Sequence, residues 1–255
     1  MSNSESISFD IYGVYYDLLY STKDYAKEAE YVTKIIRAID PTAEELIELG
    51  CGTGNYSESL CRNGYQVTGI EKSERMVQAA LSKSIENFFP LVGDVTTFKL
   101  NRKFDVAVSL FHVISYLNTN EEVLSCFKNV FEHLKAGGIF IFDIWYTPAV
   151  YSQKPETRIR RVENKEVAII RIAEPSILFE QNVVQIAYEM IIRIKATDEL
   201  QILKERHTMR HFSTPEIKLI AELVGFTIIT SQEFLTAKEP GADTWGVCFV
   251  LQKHD

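Results

Sequence analysis

The sequence is poor in paired cysteines, basic charge and long apolar runs, and each shortage closes off a class of function. Its four cysteines, Cys51, Cys61, Cys126 and Cys248, are scattered. They form no CxxC pair and no Cys/His cluster at metal-ligand spacing, so neither a bound metal nor a disulfide framework is expected, and a reducing cytoplasm fits. Lys and Arg number 27 against 35 Asp and Glu, a net charge of −8 with the signs interspersed. The basic footprint of a duplex nucleic-acid binder is missing. No stretch approaches membrane-spanning length, and Met1 to Ile11 is polar, so a membrane span, a signal peptide and an anchor are not expected. Repeats, low-complexity tracts and clear linkers are also lacking. What remains is an ordinary globular composition over 255 residues, enough to bury a sizeable core.

The hydrophobic pattern then assigns the architecture. Asp24 to Ile39 carries apolar residues at helical spacing and closes at Asp40-Pro41. Leu46–Leu49, Tyr65–Ile70, Phe88–Val92, Phe104–Leu110 and Ile139–Trp145 read as strands one to five, with helices between them. One helix starts at Ser73 and another spans Glu121–Leu134, stopping at Lys135-Ala136-Gly137-Gly138. Alternating strands and helices predict a doubly wound, mostly parallel α/β sheet. The rhythm changes after that. Three β-branched, alternating runs, Val167–Ala173, Val183–Ile194 and Leu203–Phe212, predict an inserted antiparallel meander. A helix from Thr214-Pro215 to Val224-Gly225 and strands Phe226–Phe234 and Thr244–Lys253 close a seven-stranded sheet. The expected division is an α/β domain over 1–150 and 213–255, with a β cap over 151–212.

Chemistry concentrates at the carboxyl ends of the first strands. Glu48-Leu49-Gly50-Cys51-Gly52-Thr53-Gly54-Asn55 lies where strand one turns into a helix, at a topological switch point where glycines let backbone approach a ligand. A dinucleotide fingerprint would place its third small residue at Asn55, so the spacing weighs against NAD or FAD. Glu71 ends strand two, 21 residues after Gly50, where a carboxylate can accept from both ribose hydroxyls. Asp94, after strand three, is placed to accept from an adenine amino group, with Val95 on one ring face and Met76 on the other.

Glu48–Asn55, Glu71, Gly93-Asp94 and the segment "LKAGGIFIF" (Leu134–Phe142) resemble the ordered motifs of class I S-adenosylmethionine-dependent methyltransferases over Glu44–Ile144. A narrower resemblance, carried by "YYDLLYSTKDYAKEA", "SLFHVISYL", "FDIWYTP" and "TWGVCFV", is to N-methyltransferases acting on nucleotide-linked amino sugars. The resemblance implies S-adenosyl-L-methionine as cofactor, held by Tyr16, Tyr25, Gly50, Cys51, Gly52, Asn55, Glu71, Lys72, Met76, Asp94, Val95 and Leu110. Tyr12, Tyr15 and Tyr20 join Tyr16 and Tyr25 as lid candidates, since aromatic faces attract a sulfonium. Tyr16 and His112 would position the nucleophile. Tyr116, Trp145, Tyr146, His207, Arg210 and Trp245 would hold the acceptor, a small molecule for which a nucleotide-linked sugar is the first expectation. Period-two alternation puts Glu205, His207 and His211 on one strand face and Arg210 on the other. The resemblance alone implies a homodimer. Two rivals stay open: O-methylation of a sugar or other small hydroxyl compound, with His112 or His207 as base, and a non-catalytic cofactor-binding module.

Overall fold

The computed structural model describes residues 13–254. Helix α1 covers residues 13–19. Asp24 caps α2 (Tyr25–Ile39) by accepting from Lys27 N at 3.0 Å, and α2 buries Ala29, Val32 and Ile36. Strand β1 (Glu45–Leu49) leads to α3 (Asn55–Arg62), then β2 (Gln66–Glu71). Next come α4 (Glu74–Ser82), β3 (Phe88–Val92) and β4 (Phe104–Ser109). A 3-10 turn at Val113–Tyr116 precedes α5 (Asn120–His133), whose start is fixed by a Thr119/Glu122 capping box. Strand β5 (Leu134–Tyr146) and α6 (Thr147–Gln153) lead into the meander.

Strands β1–β5 lie parallel in the order β3-β2-β1-β4-β5. Strand β11 (Gly246–Lys253) runs antiparallel beside β5, and β10 (Phe226–Glu233) antiparallel beside β11, completing the expected seven-stranded sheet. Alternation along each strand feeds two cores. Ile47, Leu49, Phe140, Phe142 and Phe249 pack with α5 and with α7 (Thr214–Val224), whereas Leu46, Val106, Ile139, Ile141 and Val250 pack with α2 and α3. Burial on both faces explains why these strands read as continuous apolar runs.

The meander has four strands, β6 (Arg158–Glu163), β7 (Val167–Leu178), β8 (Val183–Ile194) and β9 (Glu199–Phe212), each antiparallel to the next. Three were expected. The missed strand, Arg-Ile-Arg-Arg-Val-Glu, is mostly exposed and carries little apolar signal. Strand β7 also runs past its expected end through Pro175. Strand β6 stops pairing at Ala173, so from there β7 has a free edge on that side and proline's missing N–H breaks no ladder. Where β4 ends, β9 takes its place beside β5 in parallel register, with Trp145 opposite His211 and Tyr146 opposite Phe212. That short pairing seats the meander at the carboxyl edge of the sheet. Helix α1 bridges the two parts, packing Leu19 against Ile169, Met190 and Ile192 of the meander.

Candidate active site

The glycine-rich turn is built against β2. Gly50 N and Cys51 N donate to Ile70 O at 2.7 and 3.2 Å, and Gly52 N donates to Glu71 Oε2 at 3.0 Å. The other carboxylate oxygen of Glu71 accepts from Ser73 N at 2.8 Å, so this side chain joins the turn to the start of α4. Burial raises the Glu71 pKa, partly offset by those backbone donors. A Cβ built on Gly52 would meet nothing nearer than Met76 Sδ at 3.9 Å, which leaves that backbone open to close approach. Asp94 accepts from Thr96 N at 2.9 Å, and its Oδ2 lies 3.3 Å from Lys72 Nζ. Burial alone would push Asp94 up, but the Thr96 hydrogen bonds and the Lys72 charge hold it below the usual carboxylate range. Gly52, Glu71, Met76, Lys72 and Asp94 thus meet along the ends of β1–β3.

Other expected cofactor residues turn elsewhere. The Cys51 thiol packs beside Gly69, where a Cβ would lie 2.5 Å from Sγ, and burial pushes the thiol well up. Leu110 is buried in the α2-side core, and Val95 packs against the α5-side core, so Cys51 and Leu110 present backbone only. Asn55 Nδ2 donates to Asp17 Oδ1 at 2.9 Å, and its Oδ1 accepts from Lys83 Nζ at 2.7 Å. Asp17 also accepts from Thr53 Oγ1 at 2.6 Å and pairs with Lys83 at 3.0 Å. The side chain of Asn55 therefore belongs to a clasp that fastens α1 onto the turn.

Helix α1 carries Tyr16 over this edge. Burial first, and then neighbouring Tyr25, Tyr20 and Tyr116, raise its hydroxyl well above the ordinary value, so it stays a neutral phenol. Tyr16 and Tyr20 pack with ring centroids 4.9 Å apart, and Tyr15 joins the same meander-facing cluster. Tyr12 lies outside the described residues. Tyr25 packs edge-on to Tyr56, and the Lys23 ammonium sits 5.7 Å from the Tyr25 ring and 4.3 Å from that of Phe111. Lys23 also pairs with Glu28, which accepts from Tyr56. The cation beside Tyr25 is a side chain of the chain itself.

Beyond β4, His112 adopts φ 62° and is held from below by buried Asp143. Its backbone N donates to Asp143 Oδ1 at 3.0 Å, and its Nδ1 lies 2.7 Å from Oδ2. Trp145 packs 6.1 Å from both His112 and Trp245, ring centroid to ring centroid. The next turn places Tyr116 Oη 3.0 Å from His207 Nδ1 on β9, and His207 Nε2 lies 3.1 Å from Glu205 Oε2. Tyr188 stands edge-on to His207, with Arg171 over its far ring. His112, Tyr116, Trp145, His207 and Trp245 thus gather at one edge.

Tyr146 and Arg210 do not join them. Alternation turns Tyr146 toward the α5–α7 core, where Thr214 donates to its hydroxyl at 3.3 Å. Arg210 leaves the other face of β9, donating to Asn120 Oδ1 at 2.8 Å and pairing with Glu216. Those partners occupy the first turns of α5 and α7, so Arg210 ties the two helix ends to β9. His211 contacts Thr147 Oγ1 at 2.9 Å, and burial lowers its pKa to about 4. Sequence reasoning missed Asp17, Lys83, Asp143 and Tyr188 and left Glu205 without a role. Asp17, Lys83, Asp143 and Tyr188 act through partners distant in sequence, and Glu205 through His207, whose own contact with Tyr116 is long-range. Among the described residues, no group of three or more His, Cys, Asp or Glu could hold a metal, and no helix is long and apolar enough to cross a membrane.

Comparison with known proteins agrees with this geometry. Residues 46–138 match the family model for a methyltransferase domain. The chain is 34% identical over 143 residues to a dTDP-3-amino-3,4,6-trideoxy-α-D-glucopyranose N,N-dimethyltransferase of Streptomyces venezuelae, covering 56% of this chain and 59% of that protein. Against the first curated relatives the match spans little more than half their length. Among solved structures, the sugar N-methyltransferase KedS8 of Streptoalloteichus has a TM-score of 0.81 at 22% identity, covering 94% of this chain and 93% of that one. An amino pentose methyltransferase of Micromonospora echinaspora, solved with S-adenosylmethionine bound, has a TM-score of 0.75 at 21% identity, covering 95% and 96%. The chain therefore has the fold of the class I S-adenosylmethionine-dependent methyltransferases, and residues 46–138 are similar to the methyltransferase-domain model.

Proposed function

We propose that the protein transfers a methyl group from S-adenosylmethionine to the amine of a small soluble acceptor, a nucleotide-linked amino sugar. The observation that carries this reading is the meeting of two elements at one sheet edge: the open Gly52 turn with Glu71 and Asp94, and the polar cluster under the meander. The residues present fit the donor. Gly52 allows close backbone approach, Glu71 and Asp94 end successive strands as ribose and adenine acceptors, and Met76 flanks them. When bound, the donor supplies an electrophilic methyl group on a sulfonium. The chain's task is then alignment, which can supply about 7–11 kcal/mol of the barrier. Tyr16, a neutral phenol, orients the acceptor, and His112, braced by Asp143, presents its ring beside Trp145. Residues 151–212 act as the cap over the acceptor. The choice of acceptor follows the amino-sugar methyltransferases among the relatives.

Glu71→Ala and Asp94→Ala are expected to abolish tight donor binding in calorimetry, and unchanged binding in both would remove the donor assignment. Mass spectrometry after incubation with labelled donor and a panel of amino-sugar nucleotides identifies the acceptor. The reading includes a cytoplasmic homodimer, for which sedimentation equilibrium is the check. A second reading, O-methylation, is favoured by the two imidazole–carboxylate contacts, His112–Asp143 and His207–Glu205, because a hydroxyl nucleophile needs a base. Label on oxygen in the product would select it.

A further inference from the structure

The contact between Tyr116, His207 and Glu205 has a direction that hydrogen-bond chemistry settles. A carboxylate only accepts, so the His207 nitrogen facing Glu205, Nε2, carries the ring hydrogen. Nδ1 is then bare and accepts the Tyr116 hydroxyl hydrogen across 3.0 Å. A phenol that donates its hydrogen inward keeps oxygen lone pairs to accept from elsewhere. The chain therefore points toward Glu205 along its whole length. It is also dry: the side chains of His207 and Glu205 are 3% and 4% exposed, and Glu205 Oε1 is buried without a hydrogen-bond partner. Buried carboxylate oxygens are rarely left unpaired in a purely structural role. Burial raises the Tyr116 hydroxyl well above its ordinary value, so the tyrosine passes a proton on and does not hold a standing negative charge.

We propose that this chain takes the proton from the acceptor's ammonium group, with Tyr116 touching the acceptor and His207 and Glu205 as positioning residues behind it. The inference rests on the amine reading above. An alkyl ammonium has no lone pair and cannot attack a methyl group. Its N–H proton passes to Tyr116 Oη as the Tyr116 hydrogen passes to His207 Nδ1, leaving a neutral amine and an imidazolium facing Glu205. The amine lone pair then forms the N–C bond while the donor's C–S bond breaks toward sulfur. The stored proton leaves to solvent with the products. A methylated product ammonium needs the same deprotonation before a second transfer, so one chain serves both rounds.

The groups around the imidazolium favour it on balance. Glu205 on β9 faces it at 3.1 Å, and Tyr116 and Tyr188 face it as neutral phenols. Arg171 on β7 packs over the Tyr188 ring, its guanidinium carbon 5.2 Å from the centroid, and donates to the hydroxyl of Tyr20, just past α1, at 3.1 Å. Coulomb energy falls with distance, and the Glu205 carboxylate touches the His207 ring directly, whereas the Arg171 guanidinium packs on Tyr188.

The test uses Tyr116→Phe, His207→Gln and Glu205→Gln in the full chain with a dTDP-linked amino sugar. At about pH 7 each variant should lose about 10²–10³-fold in kcat, within the range for general acid–base catalysis. Donor affinity by calorimetry should stay unchanged. At about pH 9.5 the neutral fraction of an alkyl amine is more than about 100-fold larger than at about pH 7, and the deficit should shrink to within about tenfold. Nitrogen-15 NMR of histidine-labelled protein should show His207 as the Nε2–H tautomer. A deficit equal at both pH values, full activity of folded variants at neutral pH, or an Nδ1–H tautomer would each overturn the proposal. Should His207→Gln fail to fold, Tyr116→Phe, on a different element, makes the same measurement. A wild-type enzyme that methylates no amine would instead refute the amine reading, which separates the two failures.

Discussion

Asp17→Ala should open the lid without unfolding the protein. The Asp17 carboxylate accepts from Thr53 at 2.6 Å and Asn55 at 2.9 Å and pairs with Lys83 at 3.0 Å, which ties α1 to the glycine-rich turn. Fully buried hydrogen bonds to a charged group are worth about 1.5–3 kcal/mol each. The Asp17 side chain is 48% exposed, so solvent screening reduces that, and the Lys83 pair adds only about 0.2–1 kcal/mol. A net value of about 1–2 kcal/mol for the clasp is reasonable. If donor binding requires α1 closed, the donor Kd should rise about 5–30-fold, since 1.4 kcal/mol is tenfold. Calorimetry reads this directly, and hydrogen exchange over residues 13–20 should accelerate by a similar factor while Tm falls by no more than about 8 °C. Lys83→Met should also raise Kd, and the double variant should exceed Asp17→Ala, because Lys83 donates to Asn55 Oδ1 at 2.7 Å as well as pairing with Asp17. Hydrogen bonds hold the Asp17 pKa below its ordinary value despite the opposing effect of burial. The stability this adds is present above the unfolded-state value and lost as pH falls through the folded one, so acid releases the clasp. Donor affinity within twofold of wild type, with unchanged exchange over 13–20, would refute the clasp.

Three further outcomes are expected. Gly54→Ala should lower Tm by several degrees or prevent folding, because Gly54 has φ 82° and an added Cβ would lie 2.6 Å from the Phe88 ring; thermal denaturation checks it. Burial raises the pKa of Glu48 to about 8, so its contribution is full below the unfolded value near 4.5 and lost as pH rises through about 8. Glu48→Gln should flatten that decline, which reaches at most about 1.4 kcal/mol per pH unit, and a decline unchanged in the variant would contradict the assignment. Arg210→Met should destabilise by about 1–3 kcal/mol in denaturant titration while leaving the acceptor KM unchanged, because its partners Asn120 and Glu216 serve helix ends. A raised KM at unchanged stability would return Arg210 to the acceptor site.

Local chemistry made much of this protein legible from its residues. Apolar runs buried on both faces marked β1, β4 and β5, capping residues marked helix starts, and the glycine turn with Glu71 and Asp94 marked the carboxyl edge of the first strands. These signals lie within one or two elements, where spacing dictates geometry. Strand β6 escaped because exposed arginines and glutamate carry no apolar period. No local pattern announced the partner of Asn55, Asp17, 38 residues upstream. The Tyr116–His207 contact joins residues 91 apart through a short parallel pairing of β5 and β9 that no local pattern announces. Alternation separated His207 from Arg210 correctly, but whether either face looked into the site depended on how the meander seated against α1 and the sheet edge. Composition and period determined which elements exist and where the glycine-rich turn lies. Only tertiary packing decided which polar side chains gather at the sheet edge, because that choice is made by long-range burial and by partners the chain brings together after its elements have formed.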